Sequence, residues 1–324
     1  MRLFVILATI ALTGFAGADH VYTQARWNGW MVSTGEESWF SQRHTSYPIW
    51  QMFDRDPKTA WVFSGSLNDP DEAEEVGGQI VSRKPRTLED RYWLLLKPDR
   101  ARYVDTIRLM NGYNKDSFTF GRNARITKIE IFDTEWEWTD KQKPLLTVAL
   151  PDAMGWHSIK IPRRKYAGLK IVVKNLARGT DADVAISELE LRDGSRPVGP
   201  PKADYFLYIP GDDCGCGGAI TLVRSDGATV HQLSGEDALA SQSPSGRYFA
   251  AFGHLASDLA AGSGVGRLWV YDAKSERHVL RRTLDKRQAS EIWKFEWRNG
   301  DRLVTPDADG KQTVLWQPRR SARR

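Results

Sequence analysis

The chain is poor in cysteine, with two in 324 residues, which excludes a disulfide-dense scaffold. Long apolar runs are also scarce. The single one lies at the very start, so a polytopic membrane protein is excluded. Charge of one sign is lacking too. Against 46 Lys and Arg stand 41 Asp and Glu, and the surplus of +5 is carried by Arg2 and by Arg319, Arg320, Arg323 and Arg324 near the C-terminus. The body between is neutral and lacks the basic face of a nucleic-acid binder, so no nucleic-acid partner is expected. Residues 319–324 read as a solubilising basic tail, with contact to an anionic surface as the alternative. What the chain does have is aromatic mass: 13 Trp, 10 Tyr and 12 Phe, enough for packed cores and against intrinsic disorder. Its length suits about two domains.

Residues 1–18 read MRLFVILATIALTGFAGA. One basic residue, an apolar run from Leu3 to Phe15 and the small-x-small end Ala16-Gly17-Ala18 predict a signal peptide cleaved after Ala18. The expected location is the periplasm or outside the cell, with no transmembrane segment in the mature chain. Cys214 and Cys216 stand in Gly211-Asp-Asp-Cys-Gly-Cys-Gly-Gly218. An oxidising compartment favours a local disulfide between them, free thiols, redox chemistry and metal binding being the alternatives. Two thiolates fall short of the four ligands a structural zinc prefers.

One break in composition stands out. Ser195-Arg-Pro-Val-Gly-Pro-Pro-Lys-Ala-Asp204 reads as a Pro/Gly-rich linker, dividing the mature chain into 19–194 and 205–318. Before it, short runs of Ile, Val, Leu and aromatics at 91–97, 104–110, 126–132, 145–150, 156–161, 169–174 and 184–191 read as strands, with period-two stretches such as Ile129-Glu-Ile131. No helical periodicity competes with them. Many short strands with turns between them predict a two-sheet sandwich. The stretch 19–47 shows no clear periodicity and is expected to wrap that sandwich. Trp27, Trp30, Trp39 and Trp50 are expected to cover its core or edge, and Trp61 and Trp93 to lie in the core. After the linker, Gly218–Val223, Gly266–Tyr271 and Lys311–Trp316 recur at intervals near 48 positions, a spacing that suits propeller blades.

Four ordered motifs then carry a resemblance. They are Phe53-Asp-Arg-Asp-Pro-Lys-Thr-Ala-Trp61, Ile107-Arg-Leu-Met-Asn-Gly-Tyr-Asn-Lys115, Phe120-Gly-Arg-Asn-Ala-Arg-Ile-Thr-Lys-Ile-Glu-Ile131 and Asp183-Val-Ala-Ile-Ser-Glu-Leu-Glu190. In this order they resemble the NADase-type glycan-binding (NAD-glycohydrolase translocation) branch of the discoidin-like, or coagulation-factor C-type, domains. Arg55 departs from that pattern, standing where the family has Gly, and the acidic stretch Asn68–Glu75 is an addition to it. The segment Ser243-Pro-Ser-Gly-Arg-Tyr-Phe-Ala250, with Leu268-Trp-Val-Tyr-Asp272, resembles blades of WD-repeat and TolB-type propellers. The fold so implied is all-β: a discoidin-like jelly-roll sandwich followed by a small β domain resembling an incomplete propeller.

The resemblance implies a glycan held by loops at one end of the sandwich. Asn111, Tyr113, Lys115, Asn123 and Arg125 offer the chemistry for it, an aromatic face for the C–H side of a sugar and planar polar groups for its hydroxyls. The alternative makes Asn111-Gly112 a turn with Tyr113 packed over the sandwich end. Related modules hold one structural Ca²⁺, and the matching positions here are Asp54, Asp56, Thr59 and Glu188. Those groups supply the oxygens Ca²⁺ prefers, although Asp54 and Asp56 also suit a simple turn before Pro57.

The expected function is a secreted or periplasmic, non-catalytic carbohydrate-binding or adhesion protein, with a glycan or glycoconjugate as partner. One alternative is an envelope scaffold that meets a protein partner through the C-terminal β domain. The other is an accessory module linked to NAD glycohydrolase or glycosidase activity. No catalytic residues are assigned. Glu135 and Glu137 alternate on a strand, too common a pattern to mark a glycosidase pair, and His157, His231, His254 and His278 are scattered.

Overall fold

A computed structural model describes residues 23–35, 47–63, 73–76, 79–82, 87–135, 142–181, 183–209, 220–233, 239–254, 266–285, 287–288, 292, 295–298, 301–306 and 311–318. The leader 1–18, Trp39, Glu137, Cys214, Cys216 and the tail 319–324 lie outside these residues.

Strands dominate the described chain. The first are β1 (Thr23–Trp27), β2 (Trp30–Thr34), β3 (Trp61–Phe63), β4 (Ala73–Val76), β5 (Gln79–Ser82), β6 (Trp93–Pro98), β7 (Arg102–Asn111) and β8 (Arg125–Asp133). Next come β9 (Leu146–Ala149), β10 (Trp156–Tyr166), β11 (Leu169–Ala177), β12 (Val184–Asp193) and β13 (Arg196–Pro197). After the Pro/Gly-rich stretch follow β14 (Tyr205–Ile209), β15 (Ile220–Arg224), β16 (Thr229–Leu233), β17 (Leu239–Gln242), β18 (Tyr248–His254), β19 (Gly266–Asp272) and β20 (Arg277–Leu284). The last are β21 (Glu296–Arg298), β22 (Arg302–Pro306) and β23 (Gln312–Trp316). Two short helices, α1 (Leu88–Arg91) and α2 (Ser117–Arg122), interrupt them.

Two sheets face each other as a sandwich. One has nine strands in the order β16-β15-β14-β1-β2-β6-β11-β8-β9; the other is built on β10-β7-β12, with β13 and β3 both pairing to β12. Alternation of side chains sends Val32, Leu94, Leu96, Ile129, Ile131, Ile171 and Val173 of the first sheet inward, against Val104, Ile107, Leu109, Ile159, Leu189 and Leu191 of the second. Trp27, Trp30, Trp50 and Trp61 are buried in this core. Trp93 is buried on the opposite face of the large sheet, with Leu95, Phe132 and Val172.

The stretch after residue 22 holds a hairpin rather than a wrapping segment. Asn28 and Gly29 both take positive φ, 46° and 76°, between paired Trp27 and Trp30. That is the Asn-Gly turn whose twist suits two antiparallel strands, and β1 and β2 become central strands of the large sheet.

β1 pairs on its other side with β14, so the composition break at 195–204 falls inside one continuous sheet. The break is itself docked: Val198 N–H donates to Leu191 O (2.8 Å), and Trp27 Nε1–H to Pro201 O (2.7 Å). Across it, Trp50 stacks on Phe206 at 4.4 Å and 9°. β14 and β15 have two apolar faces. Phe206, Tyr208 and Val223 join the sandwich core, while Tyr205, Leu207, Ile220 and Leu222 pack on Phe249, Ala251, Trp269 and Tyr271 of the sheet β17-β18-β19-β20. That sheet's other face, with Tyr248, Phe252, Leu268 and Val270, packs on Leu303 and Trp316 of the sheet β21-β22-β23. Two further sheets thus stack outward from the sandwich.

No helix among the described residues is long and apolar enough to cross a membrane.

Candidate functional site

The four motif segments meet at one end of the sandwich. Gly112 N–H donates to Ala185 O (3.0 Å), Ala124 N–H to Asp183 O (2.8 Å) and Ser187 N–H to Gly112 O (3.1 Å). Asn114 N–H donates to Ser187 Oγ (2.7 Å), and Asn114 Oδ1 accepts from Gly155 N–H (2.8 Å). Gly112 has a φ of 75°, and a Cβ there would lie 2.8 Å from the Phe120 ring and 2.9 Å from Arg125 Cγ. Only glycine lets the chain pass under α2 at this point.

Several residues expected to face a sugar are turned inward. Asn111 is fully buried; its Nδ2 donates to Ile126 O (2.6 Å), and its Oδ1 accepts from Ile126 N–H (2.8 Å). Its amide ties β7 of one sheet to the start of β8 in the other as a peptide group would, which corrects the expectation that it presents polar atoms outward. Asn123 is corrected likewise: it is buried and caps α2, Nδ2 donating to Thr119 O (2.9 Å). Arg125 grips Asp152 with two bonds of 2.8 Å, and that pairing holds the Asp152 carboxyl below its ordinary value. The Arg125 side chain is 12% exposed, lies over the Phe120 ring and also donates to Asn123 O (3.0 Å).

Two members of the set remain at the surface. Lys115 is exposed. Tyr113 is half-buried, packing on Ala60, Val62 and Ala185, and meets Tyr47 edge-on with ring centroids 6.0 Å apart. Burial foremost, then Tyr47, Asp116 and Asp56, raises its phenol above the usual value. Tyr47 is 41% exposed, so the pair forms a small aromatic ridge between the first loop and the loop before α2. Tyr47 was not legible as a site residue, because nothing in its neighbourhood repeats or alternates. Asn114 was also missed, though its place in the Asn-Gly-Tyr-Asn run is a turn signal.

The predicted metal residues come together beside this ridge. The loop after Phe53 is wound around Asp54, whose Oδ1 accepts from Asp56 N–H (2.8 Å) and whose two oxygens accept from Thr59 Oγ1–H (3.1 and 3.0 Å). Arg55 keeps the turn at φ 66°, in the region glycine takes more readily. Glu188, directly opposite Met110 on β12, is 3% exposed and has a buried Oε1 with no hydrogen-bond partner. Its carboxyl is pushed up to about 8, first by burial and then by Asp54, with which it is in hydrogen-bond contact. Asp54 is itself raised, mainly by burial. Asp56 turns its carboxylate to Lys58 N–H (3.0 Å), on the exposed side. Among the described residues no three acidic, imidazole or thiolate side chains form a ready cage. A cation here would rest on Asp54, Glu188 and Thr59, with loop carbonyls completing the shell. A buried carboxyl with an orphaned oxygen, Glu188, touches the half-buried Asp54, on which Lys202 acts as a positive charge; a hard cation suits this pair of carboxyls.

Of the groups set aside as catalytic candidates, Glu135 pairs with Lys97 (3.3 Å), and His157 Nε2 bonds Ala153 O (2.9 Å). His231 and His278 face each other between sheets, far along the chain from the motif loops.

No protein-family model matches the chain, and no curated protein matches it. Solved carbohydrate-binding modules resemble part of it. A family 32 module of C. perfringens NanJ, in complex with galactose, aligns at 16% identity and a TM-score of 0.33, covering 52% of this chain and 98% of that one. A further family 32 module from Clostridium perfringens, in complex with GalNAc-beta-1,3-galactose, aligns at 14% identity and a TM-score of 0.30, covering 46% of this chain and 91% of that one. An F5/8 type C domain from Bacteroides fragilis aligns at 12% identity and a TM-score of 0.33, covering 52% of this chain and 95% of that one.

Proposed function

We propose that the protein is a non-catalytic carbohydrate-binding protein of the periplasm or the cell exterior. The observation that carries this reading is the convergence of four motif segments, far apart in sequence, at one sandwich end that exposes Tyr47 and Tyr113 side by side. An aromatic ridge suits the C–H face of a pyranose, and Lys115 supplies a donor beside it. A Ca²⁺ ion held by Asp54, Thr59 and Glu188 fixes the first loop and so the position of Tyr47. The stacked sheets after residue 205 act as the accessory, propeller-like part.

The test is a glycan array probed with the full-length protein, followed by titration of the best saccharide. Binding is expected to fall about tenfold or more in Tyr113→Ala, a loss of about 1.4 kcal/mol, with the circular dichroism spectrum unchanged. Absence of any bound saccharide sinks the reading. A second reading, a partner docked on the last sheet, draws on Val314, which is 47% exposed on β23. A monomer by light scattering, with no change on Val314→Lys, counts against it.

A further inference from the structure

Outside the ridge, the outer face of β10-β7-β12 holds a groove of about 340 Å³, of the size that takes small ligands. Phe53, Arg55 and Pro57 of the first loop form one wall, and Pro197, Gly199, Pro200 and Pro201 form the other. Register sets its floor. Trp156 and Glu188 flank Met110, and the next row places Arg108 beside Glu190. Strand alternation puts these side chains on one face, away from the core residues Leu109, Leu189 and Leu191.

The floor combines a flat ring with fixed charge. Trp156 is 37% exposed, and the Arg108 guanidinium lies 4.4 Å from its ring centroid, which orients both. Arg108 Nη1 donates to Glu190 Oε2 at 3.0 Å, and Arg192 Nη1 donates to the same oxygen at 3.0 Å. One carboxylate therefore serves two guanidinium groups. Arg55, at the lip, adds a third cation and makes no ion pair among the described residues. Glu188 stands at the back wall, in hydrogen-bond contact with Asp54. Of the charged groups that line the groove, Arg55 and Arg108 stand against Glu190 and the buried Glu188, and Arg55 is the cation left without a carboxylate partner among the described residues, next to rigid apolar surfaces of tryptophan and proline.

We propose that this groove is a second binding site, for a sugar bearing a carboxylate: a uronic acid residue. Its ring lies against Trp156 and its carboxylate meets the Arg55 guanidinium, whose planar fork suits a carboxylate, with Arg108, held on Glu190, as the second cation of the groove. An acidic peptide shares the carboxylate but offers no pyranose face to the indole and prolines. The site does not depend on the Tyr47–Tyr113 ridge.

The experiment is calorimetric titration of the full-length protein with glucuronate, using glucose and free glutamate as controls. Saturable glucuronate binding is expected, with glucose and glutamate at least about tenfold weaker, the fold-change equivalent to about 1.4 kcal/mol. Trp156→Ala and Arg55→Gln, both at exposed positions, are expected to weaken it several-fold, while Tyr113→Ala leaves it within about twofold. Binding that is absent, that is matched by glutamate or glucose, or that is lost in Tyr113→Ala but kept in Trp156→Ala overturns the proposal. Failure of the groove leaves array binding to the ridge untouched, and failure of the ridge leaves glucuronate binding untouched.

Discussion

At the scale of single residues, the sandwich end is held by side chains that spend their polarity inward. Asn111 is the clearest. Removing its amide in Asn111→Ala strands the Ile126 N–H and C=O in the core, at a cost of about 2–4 kcal/mol; urea unfolding is expected to show a lower midpoint with an unchanged slope. Asn111 and Asn123 read as ligands because a planar amide suits the hydroxyls of a sugar, and burial leaves no mark on a single residue. The set Asp54, Asp56, Thr59 and Glu188 was legible only through the resemblance, since Asp54 and Asp56 before Pro57 also suit a plain turn, and the structure brings Asp54, Thr59 and Glu188 together. Its sign with pH follows from Glu188. With no cation bound, the folded state keeps a proton up to about 8 where the unfolded chain releases it near 4.5, so stability falls as pH rises through that window. A cation replaces that proton. The stabilisation of melting temperature by Ca²⁺ over chelator is therefore expected to grow from about pH 5 to pH 8, and to vanish in Glu188→Gln. An equal melting temperature with and without Ca²⁺ at pH 8 contradicts the metal site.

At the scale of elements, strand positions were legible from alternation between residues 91 and 191, and the hairpin β1–β2 was not. Its signal, Asn28-Gly29, follows only a brief alternation of Ala25 and Trp27 with Arg26, and the β2 run Trp30–Thr34 is buried almost throughout and so does not alternate. The contact between stacked sheets was equally hidden, because it depends on which face of β14–β16 meets which face of β18–β20. There His231 on β16 and His278 on β20 lie 4.7 Å apart, both beside Trp269. His278 is pushed down to about 4, mainly by burial, with His231 and Arg281 adding to it, and His231 is lowered by burial and by Arg281. Both rings are held neutral in the fold and gain protons more readily when unfolded. Stability is thus complete above pH 6.5 and is lost as pH falls from there toward about 4. Thermal melts across that range are expected to show the drop, and His278→Phe is expected to flatten it; an unchanged slope in that variant refutes the assignment.

At the scale of the molecule, the chain behaves as one stack of sheets joined through β1 and β14. Composition marked 195–204 as a break because proline and glycine cluster there, yet pairing of Thr23–Trp27 with Tyr205–Ile209 crosses it, and no local pattern announces such a long-range ladder. Ending the chain after Asp204 removes Phe206 from its stack on Trp50 and bares the edge of β1. Such a fragment is expected to melt at lower temperature than the full chain and to bind a hydrophobic dye; equal melting points contradict the shared core. The functional reading rests on this frame, since the first loop, the Tyr113 loop and β12 are placed by the two sheets together. The measurement that bears on it most directly is saccharide binding by the full-length protein on a broad glycan array, repeated with Tyr113→Ala. The account predicts at least one saccharide bound by the native chain and lost in the variant; a blank array, or binding that Tyr113→Ala leaves whole for every saccharide, contradicts it.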